Sequence, residues 1–162
     1  MKQLILVRHG KSSWEYEVGD KDRPLKERGI RDAKLVAESF KGQDISIEAI
    51  YSSPANRALH TCTIFLRELQ LSESDFNLAK ELYDFSGEQV MRFVLSLPNH
   101  LNTVMIFGHN YAFTEVANTL GDTSIDNVPT TGLVHLKFDT NKWQTINKGV
   151  TVQTIFPKAL KE

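Results

Sequence analysis

Four apolar residues, Leu4-Ile5-Leu6-Val7, run without interruption near the start of the chain and stop at Arg8-His9-Gly10. A run with no polar alternation predicts a central strand covered on both faces. Residues 11–23 then show no sustained period and contain Gly19 and several charges, which predicts a loop. From Leu25 the spacing turns helical through Ile30, Ala33, Val36, Ala37 and Phe40, and Gly42 supplies the stop. Residues 48–51 read as a short strand. Ser53-Pro54 reads as an N-cap with proline in the first helical position, starting a second helix at about Pro54. Ala58, Cys62, Phe65, Leu66 and Leu69 form its apolar face.

Residues 76–79 are strand-like, and residues 86–97 repeat the helical stripe through Val90, Phe93, Val94 and Leu97. Ser86 and Gln89 have capping-box spacing there, and Pro98 ends the helix. Residues 103–107 form another apolar strand, Gly108-His109-Asn110 turns the corner, and Phe113, Val116, Ala117 and Leu120 lead to a stop at Gly121. Two late strands, 133–138 and 150–156, flank a further strand candidate near Trp143 and predict antiparallel pairing at the sheet edge. Strands alternating with amphipathic helices predict an α/β fold: a three-layer α/β/α sandwich with a mostly parallel central sheet and an antiparallel edge strand.

Composition narrows this picture. A chain of 162 residues with 41% hydrophobic and 24% charged residues fits a single globular domain spanning 1–162. Nineteen basic residues against twenty acidic ones leave a formal charge of -1, so no global field draws the chain to nucleic acid or an anionic membrane. Any anion site must be local. The lone Cys62 excludes an internal disulfide and a multi-cysteine metal site, and reads as a small core residue. The opening apolar run is too short for a signal peptide and no later stretch is long enough to span a bilayer, so the expected location is cytoplasmic.

The candidate chemistry lies where predicted strands end. Arg8 and His9 follow the first strand, Arg57 follows the second, and His109 follows the strand at 103–107. In a parallel sheet these carboxyl ends share one edge, where open α/β sheets bind ligands. Arginine presents a planar fork suited to phosphate, histidine is nucleophilic near neutral pH, and the helix starts expected near Pro54 and Asn110 add backbone donors. Three separate segments thus converge on one phosphoryl-binding edge. The other histidines have plainer roles: His60 lies within a helix, His100 follows Pro98, and His135 alternates within a strand. Together they have no metal-ligand spacing, and no metal or other cofactor is implied.

Arg8-His9-Gly10 with the later Arg57 and His109 resembles the histidine phosphatase superfamily, of phosphoglycerate-mutase-like fold. Lys11-Ser12-Ser13-Trp14, Asp22-Arg23-Pro24-Leu25 with Arg28-Gly29, and Ser52-Ser53-Pro54 resemble its small SixA-like phosphohistidine phosphatase branch. The resemblance runs from Leu4 to about Leu120. It implies that His9 takes the phosphoryl group as a phosphohistidine intermediate, which water then hydrolyses. Arg8 and Arg57 would grip the nonbridging oxygens and His109 would stabilise them. Arg23, Ser12 and Lys11 are further candidates for phosphate contact.

Larger members of the superfamily usually carry an acid that protonates the leaving group, and Glu81 is the nearest candidate, with Asp84 and Glu88 behind it. Each also reads as a solvated or helix-start carboxylate. A phosphohistidine leaves through a nitrogen whose conjugate acid has a pKa of about 6.5, so it needs less help from an acid than an alkyl phosphate does. The expected function is a metal-independent phosphatase acting on a phosphorylated protein that carries phosphohistidine. A small-molecule phosphomonoesterase or mutase-like enzyme, acting on a small phosphorylated substrate, is the enzymatic alternative. A noncatalytic phosphate-binding module is the alternative from another class. Trp14 and Tyr111 flank the two histidine motifs and read as packing or entrance residues, and residues 125–131 as a rim.

Overall fold

The computed structural model describes residues 1–161. Strand β1 (Lys2–Arg8) is followed by helix α1 (Glu27–Lys41), β2 (Ala49–Ser52), α2 (Asn56–Glu68) and β3 (Phe76–Leu78). Then come α3 (Glu88–Leu95), β4 (Thr103–Gly108), α4 (Ala112–Leu120), β5 (Leu133–Phe138), β6 (Val150–Ile155) and α5 (Pro157–Leu160). The six strands form one sheet in the order β3-β2-β4-β1-β5-β6. Strands β3, β2, β4 and β1 run parallel, whereas β5 is antiparallel to both β1 and β6. The antiparallel strand expected at the edge therefore lies one place in, and β6 closes that side of the sheet.

The uninterrupted apolar run of β1 works as a doubly covered strand. Leu4 and Leu6 point into a core with α3 and α4, through Val90, Val94, Phe113 and Val116. Ile5 and Val7 point the other way, into a core with α1 and α2, through Val36, Phe40, Cys62 and Phe65. All four are fully buried. The period of two along the strand thus feeds both helical layers of the sandwich.

Parallel register places the site. Arg8 is paired with Gly108 across β1 and β4, and Ser52 with Phe107 across β2 and β4. The residues immediately after each strand, His9, His109 and Ser53, therefore emerge side by side at one sheet edge. Helix α1 packs against the turn after β1 through Gly29, where an added Cβ would lie 2.5 Å from the Lys11 carbonyl oxygen. Only glycine permits that approach.

Several helix starts differ from the local sequence signals. Helix α2 begins at Asn56 with Ala55 as its cap residue, two residues later than Ser53-Pro54 suggests. Helix α3 begins at Glu88 and ends at Leu95, and no Ser86–Gln89 capping box forms. The carboxylate of Asp84 instead accepts the backbone N–H groups of Ser86, Gly87, Gln89 and Val90, leaving the Ser86 hydroxyl as a donor to the same carboxylate. A charged acceptor facing four amides at a positive helix end outcompetes a hydroxyl. Gly87 takes φ 105° to make this turn. Helix α4 starts at Ala112 rather than Asn110, whose side-chain oxygen accepts the Thr114 amide. The strand expected near Trp143 is a 3-10 turn, Trp143–Thr145, with the buried indole donating to the Leu101 carbonyl at 2.8 Å.

Candidate active site

His9 is nine-tenths or more hidden from solvent, and its Nδ1 lies 2.7 Å from the carbonyl oxygen of Gly10. A carbonyl only accepts, so Nδ1 carries the proton and the lone pair of Nε2 is left free. Burial, set against the Gly10 hydrogen bond and reinforced by the charges of Arg57, Arg8 and Arg23, pushes the imidazole down to about 3. His9 is accordingly a neutral imidazole with an available Nε2, the form a nucleophile requires. Gly10 is tied down from below, its N–H donating to Thr61 Oγ1 at 2.9 Å. The Thr61 hydroxyl donates in turn to the Arg57 carbonyl at 2.7 Å, coupling the turn after β1 to the start of α2.

His109 stands opposite, with ring centroids 5.2 Å apart. It is fully buried, and its Nε2 lies 2.8 Å from the Ser53 hydroxyl. Burial first, then the neighbouring His9 and the positive Arg57 and Arg8 against the opposing Asp20, lower it to about 3 as well. Tyr83 and Phe85 pack on its ring at 5.3 and 5.1 Å.

The two arginines are held without using all their donors. Arg8 reaches the Val128 carbonyl at 2.8 Å, so the segment before β5 does shape this site. Thr131 closes the same segment, its N–H bonding the carbonyls of Arg8 and His9 at a left-handed φ of 59°. Arg57 grips Asp20, donating to its carbonyl at 2.6 Å and to its carboxylate at 2.9 Å. Arg8 Nε, Arg57 Nε and His109 Nδ1 are buried side-chain nitrogens with no hydrogen-bond partner among the described residues. Buried polar groups are ordinarily paired, so these unpaired nitrogens leave the pocket around His9 with unused hydrogen-bonding capacity of the kind an anion takes up.

The structure thus brings together Arg8, His9, Arg57 and His109. Arg23 and Ser12 lie at the border: the buried Arg23 guanidinium donates to Ser12 Oγ at 2.8 Å, stacks over the Trp14 ring at 3.5 Å and pairs with Asp20 at 3.4 Å. The Lys11 side chain is exposed, and only its backbone is engaged, accepting the Lys26 amide. Glu81 sits on a 3-10 turn, Lys80–Leu82, and makes no side-chain hydrogen bond or ion pair with this set among the described residues. Asp84 is spent on α3: burial pushes its carboxyl up, but the donors of Ser86, Val90 and Gly87 outweigh that and hold it below its usual value.

Three contributors lie outside the sequence reading. Asp20 joins Arg57, Arg23 and the Tyr83 hydroxyl, which donates to it at 2.6 Å. Against the rise from burial, Tyr83 and the two arginines bring Asp20 down to about 2. Its only sequence signal was an acid three residues before Arg23 in an otherwise patternless loop. Tyr83 carries no such signal, and for Ser53, read as a cap and as part of the Ser52-Ser53-Pro54 motif, what the sequence did not show is its bond to His109, made while Oγ also accepts the Ala55 amide.

The two depressed histidines make stability pH-dependent. Each is neutral in the fold down to about 3 but protonates near 6.5 when unfolded, so the unfolded chain binds more protons between those limits. Stability is fully present above about pH 6.5 and falls as pH drops toward 3, by about 1.4 kcal/mol per pH unit for each histidine. Denaturant unfolding between pH 7 and 4 checks this. The wild type should lose stability more steeply than a His9→Asn/His109→Asn double variant, and equal slopes contradict the burial argument.

Comparison with known proteins places this geometry in a family. A family model described as the histidine phosphatase superfamily, branch 1, matches residues 4–87, just over half of the chain. A 2,3-bisphosphoglycerate-dependent phosphoglycerate mutase of Methylobacterium radiotolerans is 36% identical over 73 residues, covering 43% of this chain and 34% of the mutase. The chain spans about a third of the length of the curated mutases it matches. An uncharacterised chloroplastic protein of Arabidopsis thaliana is 28% identical over 153 residues, covering 88% of this chain and 69% of that one. Among solved structures, the protein histidine phosphatase SixA complexed with tungstate superposes with a TM-score of 0.83 at 25% identity, covering 98% of this chain and 99% of SixA. A structure described as the putative phosphohistidine phosphatase SixA from Agrobacterium tumefaciens gives a TM-score of 0.80 at 22% identity and shares the fold over 95% of this chain and 97% of that one. With the Arg-His-Gly turn inside the matched segment and the whole fold superposing on such a phosphatase, the chain belongs to the histidine phosphatase superfamily.

Proposed function

We propose that the protein is a phosphatase that works through a phosphohistidine on His9 and that its substrate is a protein-borne phosphohistidine. The observation that carries this reading is the state of His9: neutral, with Nδ1–H committed to Gly10 and Nε2 free beside three unspent donors. In the first step Nε2 attacks phosphorus, the P–N bond to the substrate imidazole breaks, and that imidazole leaves with the bonding pair and a proton from solvent. In the second step water attacks phospho-His9 and regenerates the neutral imidazole with inorganic phosphate. Arg8, Arg57 and His109 supply donors where charge concentrates on the phosphoryl oxygens, with the cationic charge coming from arginine.

Three features support phosphohistidine over an alkyl phosphate. Two acids near the site are poor proton donors, because Asp20 is held ionised and Asp84 caps a helix, and Glu81 makes no side-chain hydrogen bond or ion pair with the set among the described residues. An alkoxide leaving group needs such a donor far more than an imidazole does. One superposition over nearly the whole chain, at a TM-score of 0.83, is with a protein histidine phosphatase. Trp14, Tyr16, Phe85 and Tyr111 are exposed on the segments around the site, a rim of large apolar side chains that suits a macromolecular substrate.

A mutase-like or small-molecule esterase reading is favoured by the matched mutases. Turnover of a phosphohistidine peptide, free phosphohistidine and alkyl phosphates separates the readings. The expected result is kcat/KM at least about 100-fold higher for the peptide than for any alkyl phosphate, a gap of about 2.7 kcal/mol in transition-state stabilisation. Equal or faster turnover of alkyl phosphates, lost in Glu81→Gln, overturns the phosphohistidine assignment in favour of an ester substrate. Binding of phosphate with no turnover of any substrate supports the noncatalytic module instead.

A further inference from the structure

Ser53 is fully buried one residue beyond the end of β2, and its hydroxyl lies between two partners. The backbone N–H of Ala55 donates to Oγ at 3.2 Å, and His109 Nε2 stands 2.8 Å away. A hydroxyl has one hydrogen to give and two lone pairs to offer. The amide of Ala55 can only donate, so it takes one lone pair and leaves the hydrogen in need of an acceptor. No acceptor other than His109 Nε2 is bonded to Ser53 Oγ among the described residues. Were Nε2 protonated instead, the buried hydroxyl hydrogen would have no partner and Nδ1 would be a bare lone pair. With Nε2 as acceptor both groups are satisfied and Nδ1 carries the ring's one proton.

We propose that Ser53 is a positioning residue that fixes His109 as the Nδ1–H tautomer, so that this ring presents a donor and not a lone pair to the phosphoryl oxygens. The inference rests on the phosphatase reading for its catalytic consequence, but the tautomer itself does not. Two histidines 5.2 Å apart are set to opposite tasks by the partner each finds for its second nitrogen. Both have Nδ1 protonated. Gly10 takes the Nδ1–H of His9 and frees Nε2 for attack, whereas Ser53 fills Nε2 of His109 and frees Nδ1–H for donation. His109 Nδ1 is buried and has no hydrogen-bond partner among the described residues, as a donor reserved for a ligand would have none. A neutral ring has one N–H, so losing control of the tautomer exchanges an attraction for a repulsion at the same atom.

Ring-nitrogen NMR of protein labelled with 15N-histidine, combined with steady-state kinetics on a phosphohistidine peptide, tests the proposal in wild type, Ser53→Ala and Ser53→Thr. The wild type and Ser53→Thr should show His109 protonated at Nδ1. Ser53→Ala should show the Nε2–H form gaining population, with kcat lowered about 10- to 100-fold, somewhat less than loss of an oxyanion donor outright, and KM changed less than about 3-fold. Recovery of the tautomer and kcat together in Ser53→Thr separates positioning from loss of packing. Nε2–H on His109 in the wild type overturns the proposal whatever the activity, as does an unchanged tautomer with unchanged kcat in Ser53→Ala. If the wild type has the expected tautomer but turns over no phosphorylated substrate, the phosphatase reading fails while the hydrogen-bond assignment stands.

Discussion

His9→Ala protein is expected to lose at least about four orders of magnitude in kcat on a phosphohistidine peptide, while inorganic phosphate still binds. The two halves of that result have separate causes. Removing the imidazole deletes the atom that forms the new P–N bond, and the one cysteine cannot substitute: Cys62 is buried in the core against α1, and burial pushes its thiol far up. The donors that recognise the phosphoryl group remain, since Arg8, Arg57 and His109 are positioned by contacts with Val128, Asp20 and Ser53 that do not pass through the His9 ring. Fold stability should not collapse either, because the ring's only hydrogen bond among the described residues is to the adjacent Gly10 carbonyl. Steady-state kinetics with phosphate binding by calorimetry checks both. Turnover within about tenfold of wild type contradicts covalent catalysis at His9.

The second large effect is at Arg57. Arg57→Met should lower kcat/KM by about 10³-fold, at the upper end for loss of a single preorganised donor, because the same change also releases Asp20. In the intact protein the Asp20 carboxylate is engaged by Arg57, Arg23 and Tyr83. Without Arg57 its negative charge faces an incoming phosphoryl group with less compensation. A double-mutant cycle reads this coupling: Asp20→Asn in the Arg57→Met background should recover part of the lost kcat/KM, although Asp20→Asn alone removes a clamp on Arg57 and lowers it. Additive effects in the cycle contradict the shared role. Arg57→Lys should rescue little, since an ammonium cannot hold the Asp20 carbonyl and carboxylate as a fork while leaving Nε for substrate.

The convergence of His9, Ser53 and His109 on one sheet edge was legible because it depends on strand ends, and strand ends are marked by local pattern. The uninterrupted run before Arg8 and the one before Gly108 identify two central strands, and parallel pairing of neighbours makes their first loop residues converge. What surrounds those residues was less legible, for reasons that differ by residue. Asp20 lies in a loop without periodicity, and its value depends on Arg57, 37 positions away, which no local signal encodes. Ser53 does have a local signal, an N-cap, and its Oγ does accept the Ala55 amide, but β2 also places the hydroxyl beside His109, a contact that no local signal encodes. At α3 the spacing of Ser86 and Gln89 was correct for a capping box, yet Asp84 two residues earlier offers a full charge to the same amides. Only at α3 does a charged acceptor displace a neutral local one; at Asp20 and Ser53 the deciding partner is remote in sequence.

Direct detection of phosphate on His9 is the decisive measurement. Protein mixed with a phosphohistidine peptide, quenched in alkali within milliseconds and digested, should yield a peptide containing His9 with phosphate attached through a ring nitrogen, labile to acid and stable to base. The attachment should be at Nε2, since Nδ1 is occupied by its hydrogen bond to Gly10. Rapid turnover with no phosphate on His9 at any quench time, and phosphate release showing direct attack of water on the substrate, would contradict the covalent mechanism.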